Sequence, residues 1–139
     1  PNRFVVFSHL ASNAQVVAPS ADNPNFTILG DPTEACLNVL AEKAGINLND
    51  NHTWAPRLKE IPFDSDRKRM TTVHKLVSGS DGSQHISITK GAPKEVMELC
   101  SDYYDNQGMI KSLTATERQA ILAANDQFAR DGLRVLAVA

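Results

Sequence analysis

The sequence predicts an α/β fold, a mainly antiparallel twisted sheet with helices packed on it, formed as one domain over residues 1–139. Three observations carry that expectation. Two stretches, residues 32–44 and 114–132, open with helix-capping signals and continue with apolar residues at helical spacing. Between them, residues 57–63, 70–77 and 85–90 read as strands separated by polar, turn-forming segments. The chain closes on LRVLAVA, residues 133–139, a further extended segment.

Taken in order, residues 3–7 (RFVVF) read as a short strand. A Ser-, Ala- and Asn-rich piece with room for a short helix follows, then a loop over 19–25. Asp31 can cap a helix, Pro32 suits its first position, and Glu34 stands three residues after Asp31 as in a capping box. The helix over 32–44 carries Cys36, Leu37, Leu40, Ala41 and Ala44 as its apolar stripe, and Gly45 supplies a left-handed stop. Residues 78–83, with Asp81-Gly82 inside, predict a hairpin connection into the strand 85–90. Pro93 then suits the first turn of another helix. Thr114 and Glu117 form a second capping box with Leu113 as a staple. Their helix continues through Ile121, Leu122, Ala124 and Phe128 to Gly132.

Composition sets wide bounds. With 42% hydrophobic and 22% charged residues, 139 residues suffice for one sizeable core. A formal net charge of -2 gives no electrostatic ground for nucleic acid or an anionic membrane as partner. Cys36 and Cys100 lie far apart, each in a helical apolar pattern, and are expected as buried, reduced thiols in a cytosolic setting. Apolar runs are only a few residues long, too short to span a bilayer.

Chemistry gathers in three places. In ISITKGAPKEVMELC, residues 86–100, Lys90 shares the strand parity of Ile86 and Ile88 and so projects from the buried face. An ammonium there needs an anion or other acceptors, and Gly91 admits close approach to the backbone. A lysine snorkelling past a strand end fits the same pattern. In FDSDRKRM, residues 63–70, Phe63 precedes Arg67, Lys68 and Arg69 at the bend between two strands. That combines a base-stacking ring with phosphate-neutralising charge, although a core ring beside a solvated turn reads the same way. Arg134, just past Gly132, can reach a phosphate or the last carbonyls of the preceding helix. No GxxxxGK[ST] and no GxGxxG is present, so a P-loop enzyme and a Rossmann site are disfavoured. His9, His52, His74 and His85 lack metal-ligand spacing. His74 and His85 read as surface or half-buried strand residues, and no metal site is expected.

Four motifs occur in a definite order: GDPTEA at 30–35, FDSDRKRM at 63–70, KGAP at 90–93 and DGLRVLAVA at 131–139. Together they resemble the nucleotide-binding domain of P-type cation-transporting ATPases, in the subgroup of calcium or sodium/potassium pumps with its bacterial members. The resemblance spans nearly the whole chain. It implies that Phe63 stacks on adenine, that Lys68 lies near the nucleotide at the pocket mouth, and that Lys90, Gly91 and Ala92 form the pocket floor. It further implies that Glu34 approaches the adenine amino side, Arg134 the phosphates, and that Met70 and Leu136 supply apolar walls. Two positions depart from the pattern. Lys94 stands where an acidic residue often follows KGAP, and Ser65 where some calcium pumps have a phosphate-contacting arginine.

The family's DKTG, GDGxND and TGE segments do not occur in these residues. The resemblance therefore implies an inserted domain excised from a larger membrane pump, its termini close together at a hinge. It would lie on the cytoplasmic side of a cell membrane without touching it. It would bind ATP without hydrolysing it and deliver the γ-phosphate to an aspartate of the phosphorylation domain, so no catalytic residue is expected here. Its other partners would be the phosphorylation and actuator domains of the same parent chain, with no nucleic acid. Magnesium would accompany ATP and be held largely outside this domain. The alternative from another class is a non-catalytic interaction or regulatory module that keeps the fold without nucleotide binding.

Overall fold

The computed structural model describes residues 3–46, 53–77 and 84–139. Its elements run α1 (Arg3–Leu10), β1 (Gln15–Val17), β2 (Thr27–Leu29), α2 (Pro32–Lys43), β3 (Arg57–Asp64), β4 (Arg69–Leu76) and β5 (Gln84–Gly91). There follow α3 (Pro93–Met97), β6 (Asp102–Tyr104), β7 (Ile110–Ser112), α4 (Ala115–Arg130) and β8 (Ala137–Val138). The largest sheet has the strand order β3-β4-β5-β8, and β1-β2 and β6-β7 form two-stranded sheets. The predicted α/β class with antiparallel pairing holds, since β1-β2, β5-β8 and β6-β7 all pair antiparallel. The chain divides into two compact units, one of Pro1–Ile61 with Thr71–Ile88 and one of Pro62–Met70 with Thr89–Ala139. The predicted hairpin connection at 78–83 and His52 lie outside the described residues.

The first unit is organised by α2. Asp31 adopts extended backbone and its side chain accepts from the N–H of Thr33, while Pro32 occupies the first turn. At the other end Gly45 has φ 72, the Gly45 N–H donates to Glu42 O at 2.9 Å, and the Ile46 N–H reaches back to Ala41 O at 3.0 Å. This is a Schellman ending, and it stops the helix where the glycine predicted. The buried stripe differs from the expected one. Ala35, Leu37, Asn38 and Ala41 face inward, while Cys36, Leu40 and Ala44 are exposed, because the face is centred on a polar residue that hydropathy passes over. Cys36 is therefore an exposed free thiol and Cys100 a half-buried one, neither of them a core thiol.

Residues 3–7 are helical, not extended. A short apolar run fits either conformation. Here the helix wins because Val5, Ser8 and His9 become one buried face and the Ser8 hydroxyl donates to Phe4 O at 2.7 Å. The Ser-rich piece after it leads into β1, which pairs with β2 at Val16↔Ile28. Asn38 ties these parts together. Its amide donates to Ala14 O at 2.6 Å, so its oxygen is the acceptor that faces His9 Nδ1 at 2.7 Å, and the imidazole donates from that nitrogen. Arg57 closes the carboxyl end of α1 by donating to Leu10 O and to Ser12 O at 3.0 Å, while it pairs with Glu60 at 3.0 Å. His74 is fully buried, not at the surface or half-buried as expected: Nδ1 donates to Ala55 O at 3.0 Å and Nε2 lies 2.9 Å from the Thr72 hydroxyl. The strand can bury it because both ring nitrogens find partners.

In the second unit, α4 starts at Thr114, whose hydroxyl accepts from Glu117 N at 3.5 Å. It ends at Gly132 with φ 75, the Gly132 N–H donating to Ala129 O and the Leu133 N–H to Phe128 O, a second Schellman ending. That ending shortens the last strand. Leu133 uses its N–H on the helix, so the predicted run over 133–139 contracts to β8, which pairs with β5 at Lys90↔Val138 and Gly91↔Ala137. Arg118 donates to Met97 O and Cys100 O, closing the carboxyl end of α3 as Arg57 closes that of α1. The β6-β7 hairpin was not predicted. Asp105 builds it by accepting from Gln107 N and Met109 N at 2.9 Å each, and Lys111 holds the same carboxylate at 2.8 Å.

Replacing Asn38 with alanine strands the buried Ala14 carbonyl and removes the acceptor of His9. The expected loss is about 2 kcal/mol of unfolding free energy, read by urea denaturation. A change within error of zero would contradict the role given to Asn38.

Candidate functional site

Eight of the nine residues singled out from the sequence lie in the second unit: Phe63, Lys68, Met70, Lys90, Gly91, Ala92, Arg134 and Leu136. Glu34 belongs to the first unit, where its carboxylate accepts from Asn13 N at 2.8 Å.

The local geometry starts with a tight turn between β3 and β4. Asp64 accepts from Asp66 N at 3.0 Å and from Arg67 N at 2.8 Å through one carboxylate oxygen, and its carbonyl accepts from Lys68 N at 2.7 Å. The Arg67 amide is the main cause of holding the Asp64 carboxyl below its ordinary range. The Arg67 guanidinium donates back to Pro62 O at 3.0 Å, and that of Arg69 to Arg67 O at 3.2 Å. Lys68 completes the turn with φ 50 and is the one non-glycine residue in the left-handed region among those described.

The turn is fastened to the end of β5. The Ala92 N–H donates to Lys68 O at 3.0 Å. A side chain added at Gly91 would put its Cβ 2.3 Å from that carbonyl oxygen and 2.7 Å from Arg69 Cα, distances no real Cβ tolerates. Gly91 is thus required by the chain's own packing, and any room a purine finds beside residues 90–92 is not the space of the missing side chain. Pro93 opens α3 as expected, with Ala92 at the cap position in extended backbone.

Lys90 sits where the alternation predicted. It is 4% exposed, on the face of buried Ile88 and half-buried Ile86, and Nζ itself is buried, which excludes snorkelling to water. Phe63 is 62% exposed, so the core-ring reading is excluded as well. Met70 is a core residue at 2% exposure, and Leu136 is half-buried just before β8. Arg134 is exposed between α4 and β8. Of the two departures, Ser65 lies exposed in the turn and Lys94 exposed in α3.

One participant was missed by reading the sequence. Glu95, in the first turn of α3, places Oε1 3.2 Å from Lys68 Nζ. Its own backbone N–H, and after it Lys68, hold its carboxyl below the ordinary range. The available signal was an acidic residue at the third helical position, two residues after Pro93, where carboxylates favour the helix amino end.

A family profile described as P-type ATPase, cytoplasmic domain N, matches residues 2–139. A probable cation-transporting ATPase F of Mycobacterium tuberculosis is 36% identical over 116 residues, covering 84% of this chain and 12% of the relative. Calcium-transporting ATPase 1 of Lactococcus lactis is 34% identical over 131 residues, 94% of this chain and 14% of the relative. Calcium-transporting ATPase 1 of Bacillus cereus is 35% identical over 124 residues, 89% of this chain and 13% of the relative. The chain therefore spans 12% to 14% of the length of these relatives.

Substituting Gly91 with alanine forces the 64–69 turn away from β5. The expected cost is about 3 kcal/mol in denaturant unfolding, with the largest amide shifts at residues 65–69. Wild-type stability in that variant would show the close contact to be unnecessary.

Proposed function

The chain belongs to the P-type ATPase cytoplasmic domain N family, and on that premise we propose that it is the ATP-binding domain of a membrane cation pump. In this reading it holds ATP so that the γ-phosphate reaches an aspartate in a phosphorylation domain elsewhere in the parent chain, on the cytoplasmic side of the membrane. Cation transport, with calcium named for several relatives, is the activity such a delivery would drive.

The observation that carries the reading is the exposed Phe63 ring near the end of β3, just before the segment that carries Arg67, Lys68 and Arg69. A phenylalanine left in water forgoes burial that is worth roughly 1.5 to 3 kcal/mol. Stacking on a base recovers about 1 to 3 kcal/mol and suits any purine face. Lys68 supplies charge to the phosphates, with Arg134 proposed for the same role. Lys90 is proposed to meet the nucleotide from the floor formed with Gly91 and Ala92, with Met70 and Leu136 as apolar support. The contact of Glu34 with the adenine amino group is a separate proposal that rests on its GDPTEA motif.

These residues bind and orient. None of them is asked to move a proton, which suits phosphoryl transfer, where positioning and charge stabilisation dominate. Magnesium is proposed to arrive with ATP and to be held mostly by residues outside this chain. With much of the phosphate contact also supplied elsewhere, affinity for ATP is expected on the order of 0.1 to 1 mM.

Titration with ATP, followed by amide shifts, is expected to saturate at Phe63, Lys90 and Gly91 in that range. Phe63→Ala should weaken binding about tenfold at an unchanged Tm, as loss of one stacking partner requires. Volume-preserving Lys90→Met should weaken it as well. Unmoved signals at several millimolar ATP would sink the reading in favour of a non-catalytic interaction module.

A further inference from the structure

We propose that Glu95 is a built-in competitor of the anion that Lys68 binds: its carboxylate holds the Lys68 ammonium until a polyphosphate takes the ammonium over. This makes nucleotide affinity weaker and more dependent on the number of phosphates. It rests on the reading above, in which Lys68 lies beside the nucleotide.

The two partners differ in what can move. The Lys68 backbone is fixed on both sides, by Asp64 O at 2.7 Å and Ala92 N at 3.0 Å, and stays in a left-handed conformation that glycine or asparagine would adopt more cheaply. A lysine kept in that conformation points to a use for its side chain. That side chain is 58% exposed and reaches Glu95 at 3.2 Å, whereas the Glu95 side chain is only 24% exposed. Glu95 is further held by the amide at the start of α3, and the lowered carboxyl range keeps it ionised at neutral pH. In a contest for the ammonium, the lysine end is the part that swings.

Charge decides the direction. An exposed pair of this kind is weakly held, so a ligand with several phosphate oxygens can displace the carboxylate. Until it does, Glu95 cancels much of the field that Lys68 presents to an approaching anion. Glutamine at position 95 keeps the size and one acceptor oxygen and removes only the charge. Screening at physiological salt limits the gain to about threefold.

The test compares the 139-residue chain with Glu95→Gln, Glu95→Ala, Lys68→Ala and the double variant Lys68→Ala/Glu95→Gln. Each is titrated with ATP, AMP, adenosine and inorganic tripolyphosphate. Removing the Glu95 charge should tighten ATP and tripolyphosphate about threefold. It should tighten AMP less and leave adenosine binding unchanged. In the Lys68→Ala background the gain should vanish. Unchanged or weaker ATP binding in both Glu95 variants overturns the proposal, and so does an equal gain without Lys68, which marks a general charge effect. If wild type ignores ATP while tripolyphosphate still gains from Glu95→Gln, the nucleotide reading fails and the competitor role stands. If neither ligand binds, both fall.

Discussion

The backbone of Gly91 lies so close to Lys68 and Arg69 that no side chain fits between them, and the local order of the second unit follows from that contact. It lets the Ala92 N–H reach Lys68 O, which closes the turn against the end of β5. Because the turn is closed, Lys68 is held left-handed and its side chain is directed to Glu95 on α3. Because β5 continues through Gly91, Lys90 retains strand parity to its end, its backbone in register with Val138 of β8 and its ammonium buried. One missing methyl group thus fixes the placement of two lysines of different kinds, one desolvated and one exposed.

Helix ends are handled by the same means in both units. α1 and α3 are short, five to eight residues, and leave carbonyls without intrahelical partners. Each receives an arginine from a later element, Arg57 to the carboxyl end of α1 and Arg118 to that of α3. The longer helices α2 and α4 close themselves through Gly45 and Gly132. A short helix has too few internal bonds to persist alone, so a fixed guanidinium fork at its end makes it depend on tertiary structure.

What could be read from residues was what local chemistry dictates. Gly45 and Gly132 marked helix ends because only a residue free to take positive φ closes a Schellman motif cheaply. Lys90 was placed on the buried face by parity alone. The short run RFVVF was not decidable, since helix or strand there depends on His9 meeting Asn38, twenty-nine residues away. Phe63 was ambiguous for a similar reason. It lies in β3, at one edge of the strand order, where alternation does not say whether a second layer covers the ring. The β6-β7 hairpin was passed over because its three-residue strands expose Tyr104 and Ile110 and owe their geometry to Asp105 and Lys111, not to an apolar pattern. The order of four motifs conveyed more about the family than any one pattern, because each motif alone had an ordinary structural explanation.

The proposed role asks for weak binding, and the residues at hand are of a kind to give it. ATP and the ADP left after transfer share the adenine, the ribose and two phosphates. A domain that gripped these shared parts tightly would hold the product as firmly as the substrate and slow its release. Interactions that strengthen only as the γ-phosphate meets its acceptor raise the rate, whereas uniform grip does not. One exposed ring for stacking, and a lysine whose charge is partly offset by Glu95, keep the uniform part small. A carboxylate that competes for the lysine is then a feature of delivery, since it penalises ligands with few phosphates and releases them first.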